Sequence, residues 1–244
     1  MAAASGWTTI RYGADPSQFG ELTLPDLRAR GVVVVIHGGF WRAAYDLSLG
    51  RPLAASLAEH GWAAWNLEYR RVGNGGGVPA TLDDVAAGID RLAGLELDLS
   101  TVVAVGHSAG GHLATWAAGR GKYDGWPPRV PVTAVVAQAA VLDLGQAWSD
   151  GLGTGAVEAF LGHPPGQAEE PVDPMQQVPL DVPVWCVHGA DDEVVPVSQS
   201  RDYVARAAAA GGDARLVEVE GDHFVVIDPL DVAWRQQLEI LDAL

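Results

Sequence analysis

The chain reads as an α/β protein with one mostly parallel central sheet and helices on both of its faces. Two observations predict this. Short runs that are apolar at every position, such as Val32-Val33-Val34-Val35-Ile36 and Val102-Val103-Ala104-Val105, suit strands covered on both sides rather than one. These runs alternate along the chain with longer stretches of helical periodicity, the order expected of strand–helix–strand units. A chain of 244 residues, 48% of them hydrophobic, is long enough to bury such a core in one domain spanning residues 1–244.

Taken in order, residues 7–12 suggest an edge strand, 32–37 and 62–68 internal strands, and 101–106 a further one ending in glycine. Strands at 132–138, 183–188 and 214–219 complete the sheet. Helical patterning falls at 47–60, 80–95, 108–120, 197–210 and 230–243; Leu82, Val85, Ala86 and Ile89 form an i, i+3, i+4, i+7 stripe within the second. Residues 142–182 are irregular, rich in Gly, Pro, Asp and Glu around a short helical piece at Val157-Glu158-Ala159-Phe160-Leu161, and are expected to form a small cap. No internal repeat is present.

Chemistry concentrates where the strands end. The strand at 101–106 runs into Gly106-His107-Ser108-Ala109-Gly110, a G-x-S-x-G turn sharp enough to lift one serine hydroxyl clear of a sheet, with glycines leaving room for neighbouring backbone. Ser108 is the candidate nucleophile, and the helix that follows points its positive end at it. Upstream, the 32–37 strand leads into His37-Gly38-Gly39-Phe40-Trp41, where glycine lets backbone amides approach a substrate oxygen. The amides of Gly39, Phe40 and Ala109 are the candidate oxyanion donors. A base and an acid are then expected in the order serine, carboxylate, histidine, each in a loop after a strand. His223, in Gly221-Asp222-His223, is the candidate base; Asp192 and Asp191, adjacent after the strand at 183–188, both fit the acid on spacing.

These residues resemble the α/β-hydrolase superfamily from about residue 30 onward. The likeness rests on His37-Gly38-Gly39-Phe40-Trp41, Glu68-Tyr69-Arg70, Gly106-His107-Ser108-Ala109-Gly110-Gly111, His188-Gly189 with Asp192 and Val195-Pro196, and Gly221-Asp222-His223. It implies the α/β-hydrolase fold, a Ser108–His223–Asp192 triad, with Asp192 favoured over Asp191 as acid, and a serine hydrolase cleaving small carboxylic esters or aryl-amides through an acyl-enzyme. The H-G-G-aromatic-Trp loop looks like that of the kynurenine formamidase and small carboxylesterase (feruloyl-esterase-like) branch, so arylformamidase action on N-formylkynurenine is the alternative, followed by aminopeptidase-like cleavage of short peptides. A non-catalytic receptor on the same scaffold would commonly have lost a triad member, and all three are present. Serine at the elbow disfavours chemistry that needs aspartate there.

The remaining features have plainer explanations. Trp41, Trp148, Phe160 and Phe224 flank the loops and could wall an acyl or aryl pocket. Glu68-Tyr69-Arg70 is expected to brace the oxyanion loop, and His188 the acid loop. His107 and His112 lack acidic or cysteine companions at ligand spacing, so no metal is expected, and Gly151-Leu152-Gly153-Thr154-Gly155 and Gly73-Asn74-Gly75-Gly76-Gly77 read as turns without the strand and lysine of a phosphate loop, so no cofactor is expected. A net charge of −16, with a single lysine against 14 arginines, argues against nucleic acid or an anionic membrane as partner and leaves a small ester or amide substrate. Residues 1–6 show neither the basic start nor the apolar core of a secretory signal, and no apolar run approaches the ~20 residues of a membrane span, so a cytoplasmic location is expected. The one cysteine, Cys186, lies in an apolar run and reads as a small core residue. Oligomeric state leaves no mark in the sequence.

Overall fold

A computed structural model describes residues 6–166 and 169–244. Its centre is an eight-stranded sheet in the order β1-β2-β4-β3-β5-β6-β7-β8. The strands are β1 (Thr8–Arg11), β2 (Phe19–Thr23), β3 (Val32–Ile36), β4 (Ala63–Leu67), β5 (Val102–His107), β6 (Ala134–Gln138), β7 (Val184–Gly189) and β8 (Ala214–Val219). From β4 through β8 neighbouring strands pair in parallel; β1 and β2 are antiparallel additions at one edge. Every residue of β3 to β7 is buried, as a parallel sheet covered on both faces requires.

The pleat sends alternate side chains of β3 into different cores. Val32, Val34 and Ile36 pack with Leu82, Val85 and Ile89 of α2 (Ala80–Asp90) and with Leu113 and Trp116 of α3 (Ala109–Gly119). Val33 and Val35 pack instead with Leu53 and Leu57 of α1 (Arg51–Glu59) and Trp234 and Leu238 of α8 (Val232–Asp242). The stripe at Leu82, Val85, Ala86 and Ile89 is buried as its spacing predicts. Segment 142–182 carries three short helices, α4 (Leu144–Ser149), α5 (Ala156–Leu161) and α6 (Pro174–Gln177), ahead of α7 (Ser198–Ala209).

One strand has no counterpart in the sequence pattern. β2 contains Gly20 and Glu21, which lack strand character, yet both are buried. Trp65 of β4 lies where a Cβ on Gly20 would sit, so glycine here is a packing requirement. Arg51 neutralises buried Glu21 through two bonds of 2.9 and 2.7 Å. Among the described residues no helix is long and apolar enough to cross a membrane.

Candidate active site

β5 ends at His107, and Ser108 follows with φ 55° and ψ −120°, a strained backbone for a residue with a side chain. Backbone hydrogen bonds hold it there. Its amide donates to the Gln138 carbonyl at 2.8 Å, and its carbonyl accepts from Gly111 and His112 at 2.9 and 3.1 Å. The glycines are obligatory: a Cβ on Gly106 would strike the Gly110 carbonyl, one on Gly110 the Ile36 carbonyl, and one on Gly38 would lie 2.7 Å from the His107 carbonyl and 3.0 Å from Ser108 Cβ. Strand β3, the elbow and the oxyanion loop therefore meet at van der Waals limits around the serine.

The acid and base arrive from two adjacent strand ends. β7 delivers Asp192 and β8 delivers His223, and His223 Nδ1 donates to Asp192 Oδ2 at 2.6 Å. The other carboxylate oxygen, Oδ1, accepts the amides of Val194 and Val195, both at 2.8 Å. His188 Nε2 lies 3.2 Å from Oδ2 and 2.9 Å from the Val195 carbonyl, while its Nδ1 meets Ser200 Oγ at 2.8 Å. Burial pushes the Asp192 carboxyl up, but the hydrogen bonds from His188, His223 and the Val195 amide outweigh it and hold the group well below the usual carboxylate range. A fixed carboxylate is thereby placed to orient His223 and to stabilise its imidazolium. Asp191 offers no side-chain contact of this kind among the described residues; its amide caps the Gly221 carbonyl.

His107 supports the base from the elbow side. Its Nε2 donates to the His223 carbonyl at 2.9 Å and the two rings lie 4.4 Å apart. Burial, then repulsion from His223, lowers its pKa to about 3, so it remains neutral near pH 7 and adds no charge beside the base.

The oxyanion loop bends through three successive residues of positive φ, Gly39 (108°), Phe40 (52°) and Trp41 (54°). Among the described residues the amides of Gly39, Phe40 and Ala109 donate to no protein acceptor, whereas the adjacent Arg42 amide bonds the Gly39 carbonyl at 3.0 Å. The root of the loop is fixed by buried Glu68. Its carboxylate meets His37 Nε2 at 3.1 Å, Arg71 at 2.6 Å, and the amides of Leu47 and Tyr69 at 3.0 and 2.8 Å. Burial raises the Glu68 carboxyl, and His37 with Arg71 more than offsets this, leaving it below the ordinary value. Tyr69 stacks on His37 and donates to its carbonyl at 2.7 Å. The expected brace thus runs through Arg71; Arg70 pairs with Asp84 instead.

These elements enclose a cleft of about 310 Å³ whose floor holds Ser108, His107 and His223 beside Gly39 and Phe40. Its outer walls are Tyr45, Leu49, Val194, Phe224 and Ile227. Ser108 Oγ makes no hydrogen bond among the described residues. Of the four aromatic residues expected at the pocket, only Phe224 lines it. Trp41 and Phe160 are corrections: both are fully buried and stack on each other at 4.6 Å with His112 edge-on, because left-handed backbone at position 41 turns the indole inward. Trp148 sits on α4 outside the cleft and donates to Glu158 at 3.3 Å. Tyr45, Leu49 and Ile227 were not singled out in the sequence because Tyr45 lies in a loop and Leu49 and Ile227 in short 3-10 turns, where nothing in the local pattern marks a pocket wall.

The parallel sheet, the elbow and the ordered strand-end loops define an α/β-hydrolase. Residues 24–206 match the BD-FAE family, and the chain belongs to it. That match spans the oxyanion loop, Ser108 and Asp192. The chain is 27% identical over 226 residues to esterase LipC of Mycobacterium tuberculosis, covering 82% of this chain and 54% of LipC, so it spans about half the length of that curated relative. Among solved structures, a truncated carbohydrate esterase from gut microbiota superposes with a TM-score of 0.82 at 22% identity over 98% of this chain and 95% of its own. Esterase B from Lactobacillus rhamnosis, solved inhibited with a C4-C4 SN3 tributyrin phosphonate, gives 0.82 at 24% identity over 97% and 84%.

Proposed function

We propose that the protein is a serine esterase that cleaves small carboxylic esters through an acyl-enzyme. The observation that carries this is the 2.6 Å His223–Asp192 hydrogen bond in the same cleft as Ser108 on its strained elbow and the unpaired amides of Gly39 and Phe40. Ser108 attacks the ester carbonyl carbon as His223 takes its proton. The tetrahedral oxyanion is held by the amides of Gly39, Phe40 and Ala109, and collapse expels the alcohol with the proton returned by His223. Water, activated by the same histidine, then releases the acid. Asp192 keeps His223 in the tautomer that can do this.

The size of the cleft favours short acyl groups. A volume of about 310 Å³ sits at the lower end of ligand sites, and no residue of 142–182 lines it among the described residues. The name of the LipC relative supports ester cleavage, and the tributyrin phosphonate on esterase B supports short acyl groups. Burial of Trp41 removes from the cleft one of the aromatic side chains expected to wall an aryl pocket, so ester cleavage ranks ahead of formamide cleavage.

The test is a panel of short and long p-nitrophenyl esters, N-formylkynurenine and aminoacyl anilides, run on wild type and Ser108→Ala. Acetyl to butyryl esters should show the highest kcat/KM, and Ser108→Ala should cost about 10⁶ in kcat. A phosphonofluoridate should label Ser108 alone. Labelling elsewhere removes the assignment of the nucleophile, and a kcat/KM for N-formylkynurenine far above every ester reassigns the protein as an arylformamidase.

A further inference from the structure

The glycine-rich turn at residues 151–155 makes a contact that its composition does not predict. Arg42, immediately after the oxyanion loop, donates from one nitrogen, Nη2, to the consecutive carbonyls of Gly153 and Thr154, at 2.5 and 2.9 Å. Gly151, Gly153, Thr154 and Gly155 all have positive φ, which turns these two carbonyls towards the same guanidinium. Although acidic residues outnumber basic ones two to one, Arg42 forms no carboxylate pair among the described residues. The same turn touches the loop again, since a Cβ on Gly153 would overlap the Phe40 ring.

Phe40 needs outside support. A residue whose amide serves a substrate oxygen cannot spend that amide on the protein, and Phe40 and Trp41 both hold left-handed backbone that side-chain-bearing residues avoid. On one side the loop is tied to Val72, whose amide and carbonyl bond Trp41 and Ala43 at 2.8 and 2.9 Å. On the other, the cap supplies the contacts: Arg42 on its carbonyls, Phe40 against Gly153, and Trp41 on Phe160 of α5. If the guanidinium released the cap, the peptide before Phe40 could relax by rotating its N–H away from the cleft.

We propose that Arg42, by gripping the Gly153 and Thr154 carbonyls, is a positioning residue that locks the Phe40 amide into the oxyanion hole, so that the cap governs transition-state stabilisation. This rests on the esterase reading above. Arg42 touches no substrate in this scheme and acts through Phe40.

The experiment compares wild type, Arg42→Ala, Arg42→Lys and Gly153→Ala on p-nitrophenyl butyrate and against a trifluoromethyl ketone, whose hemiketal oxygen occupies the oxyanion position once Ser108 adds. Arg42→Ala should lower kcat by about 10- to 100-fold with KM changed by less than about threefold, because the lost contribution is made only in the transition state. Affinity for the ketone should fall by the same factor, while butyrate, a ground-state ligand, binds as before. Methylguanidinium should restore part of the kcat of Arg42→Ala, and Arg42→Lys should fall between it and wild type. Gly153→Ala, which keeps Arg42 but displaces the Phe40 ring, should reproduce the pattern if Arg42→Ala proves too unstable to assay. Unchanged ketone affinity in Arg42→Ala, or in Gly153→Ala where Arg42→Ala cannot be assayed, or a loss confined to KM, overturns the proposal. Phosphonofluoridate labelling of wild-type Ser108 separates the two ideas: without labelling the esterase reading fails, whereas labelling with unchanged ketone affinity sinks the clamp alone.

Discussion

The acid–base half of the cleft and its oxyanion half are held in place by different physics. Asp192 and His223 hang from the ends of β7 and β8, and a buried carboxylate collects hydrogen bonds from two histidines and two backbone amides. The oxyanion loop has no such hub at its tip. The amides of Gly39 and Phe40 stay unpaired among the described residues, the loop backbone is strained at Phe40 and Trp41, and the loop is tied to Glu68 behind and to the Gly153–Thr154 turn in front. One half is rigid because its polar groups are satisfied; the other can function only because some of its polar groups are not.

The largest expected effect falls on the satisfied half. Asp192→Asn should cost on the order of 10⁴ in kcat, because the amide stabilises neither the tautomer nor the imidazolium of His223. Asp191→Asn should leave kcat within about threefold of wild type, as expected of an exposed side chain away from the site. Steady-state kinetics on a short ester decide it, and the reverse ranking would mean that the acid has been misassigned.

On the oxyanion side, Gly39→Ala should lower kcat by about 10²–10³, the cost of losing one donor. The added methyl would overlap the Tyr45 side chain at a φ of 108° that alanine resists. Phosphonate inactivation should slow with it, while the His223–Asp192 pair stays intact and the low-field proton resonance of that hydrogen bond persists. Disappearance of the resonance would show that the two halves are coupled more tightly than their separate supports imply.

A third contrast separates wall from core. Phe224→Ala should raise KM while changing stability by no more than about 0.5 kcal/mol, because the residue is 56% exposed where it lines the cleft. Phe160→Leu should do the opposite, costing about 1–2 kcal/mol in a denaturant melt by loosening the stack on Trp41, with KM unchanged. Equal KM effects from the two would return Phe160 to the pocket.

The smallest effect is a dependence of stability on pH. Burial lowers the pKa of His107 to about 3 and that of His112 to about 4, so in the folded state both stay neutral where an unfolded histidine would take up a proton. Their contribution is complete above about pH 6.5 and is lost as pH falls towards 4. Asp173, raised to about 6 by burial and then by Asp143, works the other way: its contribution is present below about 3.8 and lost as pH rises through 6. Two histidines outweigh one carboxyl, so the melting temperature should drop between pH 6.5 and 4, and His112→Gln should flatten that slope. A slope of opposite sign would show that Asp173 dominates.

How much was legible depended on how local the cause was. The buried strands β3 to β7 and the elbow were readable because an all-apolar run and the glycines at 106 and 110 answer to backbone within a few residues or to the faces of one sheet. The strand-end order of serine, carboxylate and histidine was readable for the same reason, since each loop follows its own strand. β2 was not, because its burial comes from Trp65 and Arg51 on other elements rather than from its own composition. Glu68 choosing Arg71 over Arg70 was likewise undecidable, adjacent arginines being identical in pattern and separated only by which way each faces the sheet.

The sequence by itself determined the buried strands β3 to β7, the strained serine turn and the set of residues able to form a relay, because those follow from short-range sterics and hydrophobic periodicity. Only the tertiary structure decided that Asp192 rather than Asp191 meets His223, that Trp41 turns into the core while Tyr45 and Leu49 wall the cleft, and that Arg42 reaches across to the Gly153–Thr154 turn. Those choices are made by contacts between residues far apart in the chain. Their geometry exists only once the helices and cap have packed on both faces of the sheet.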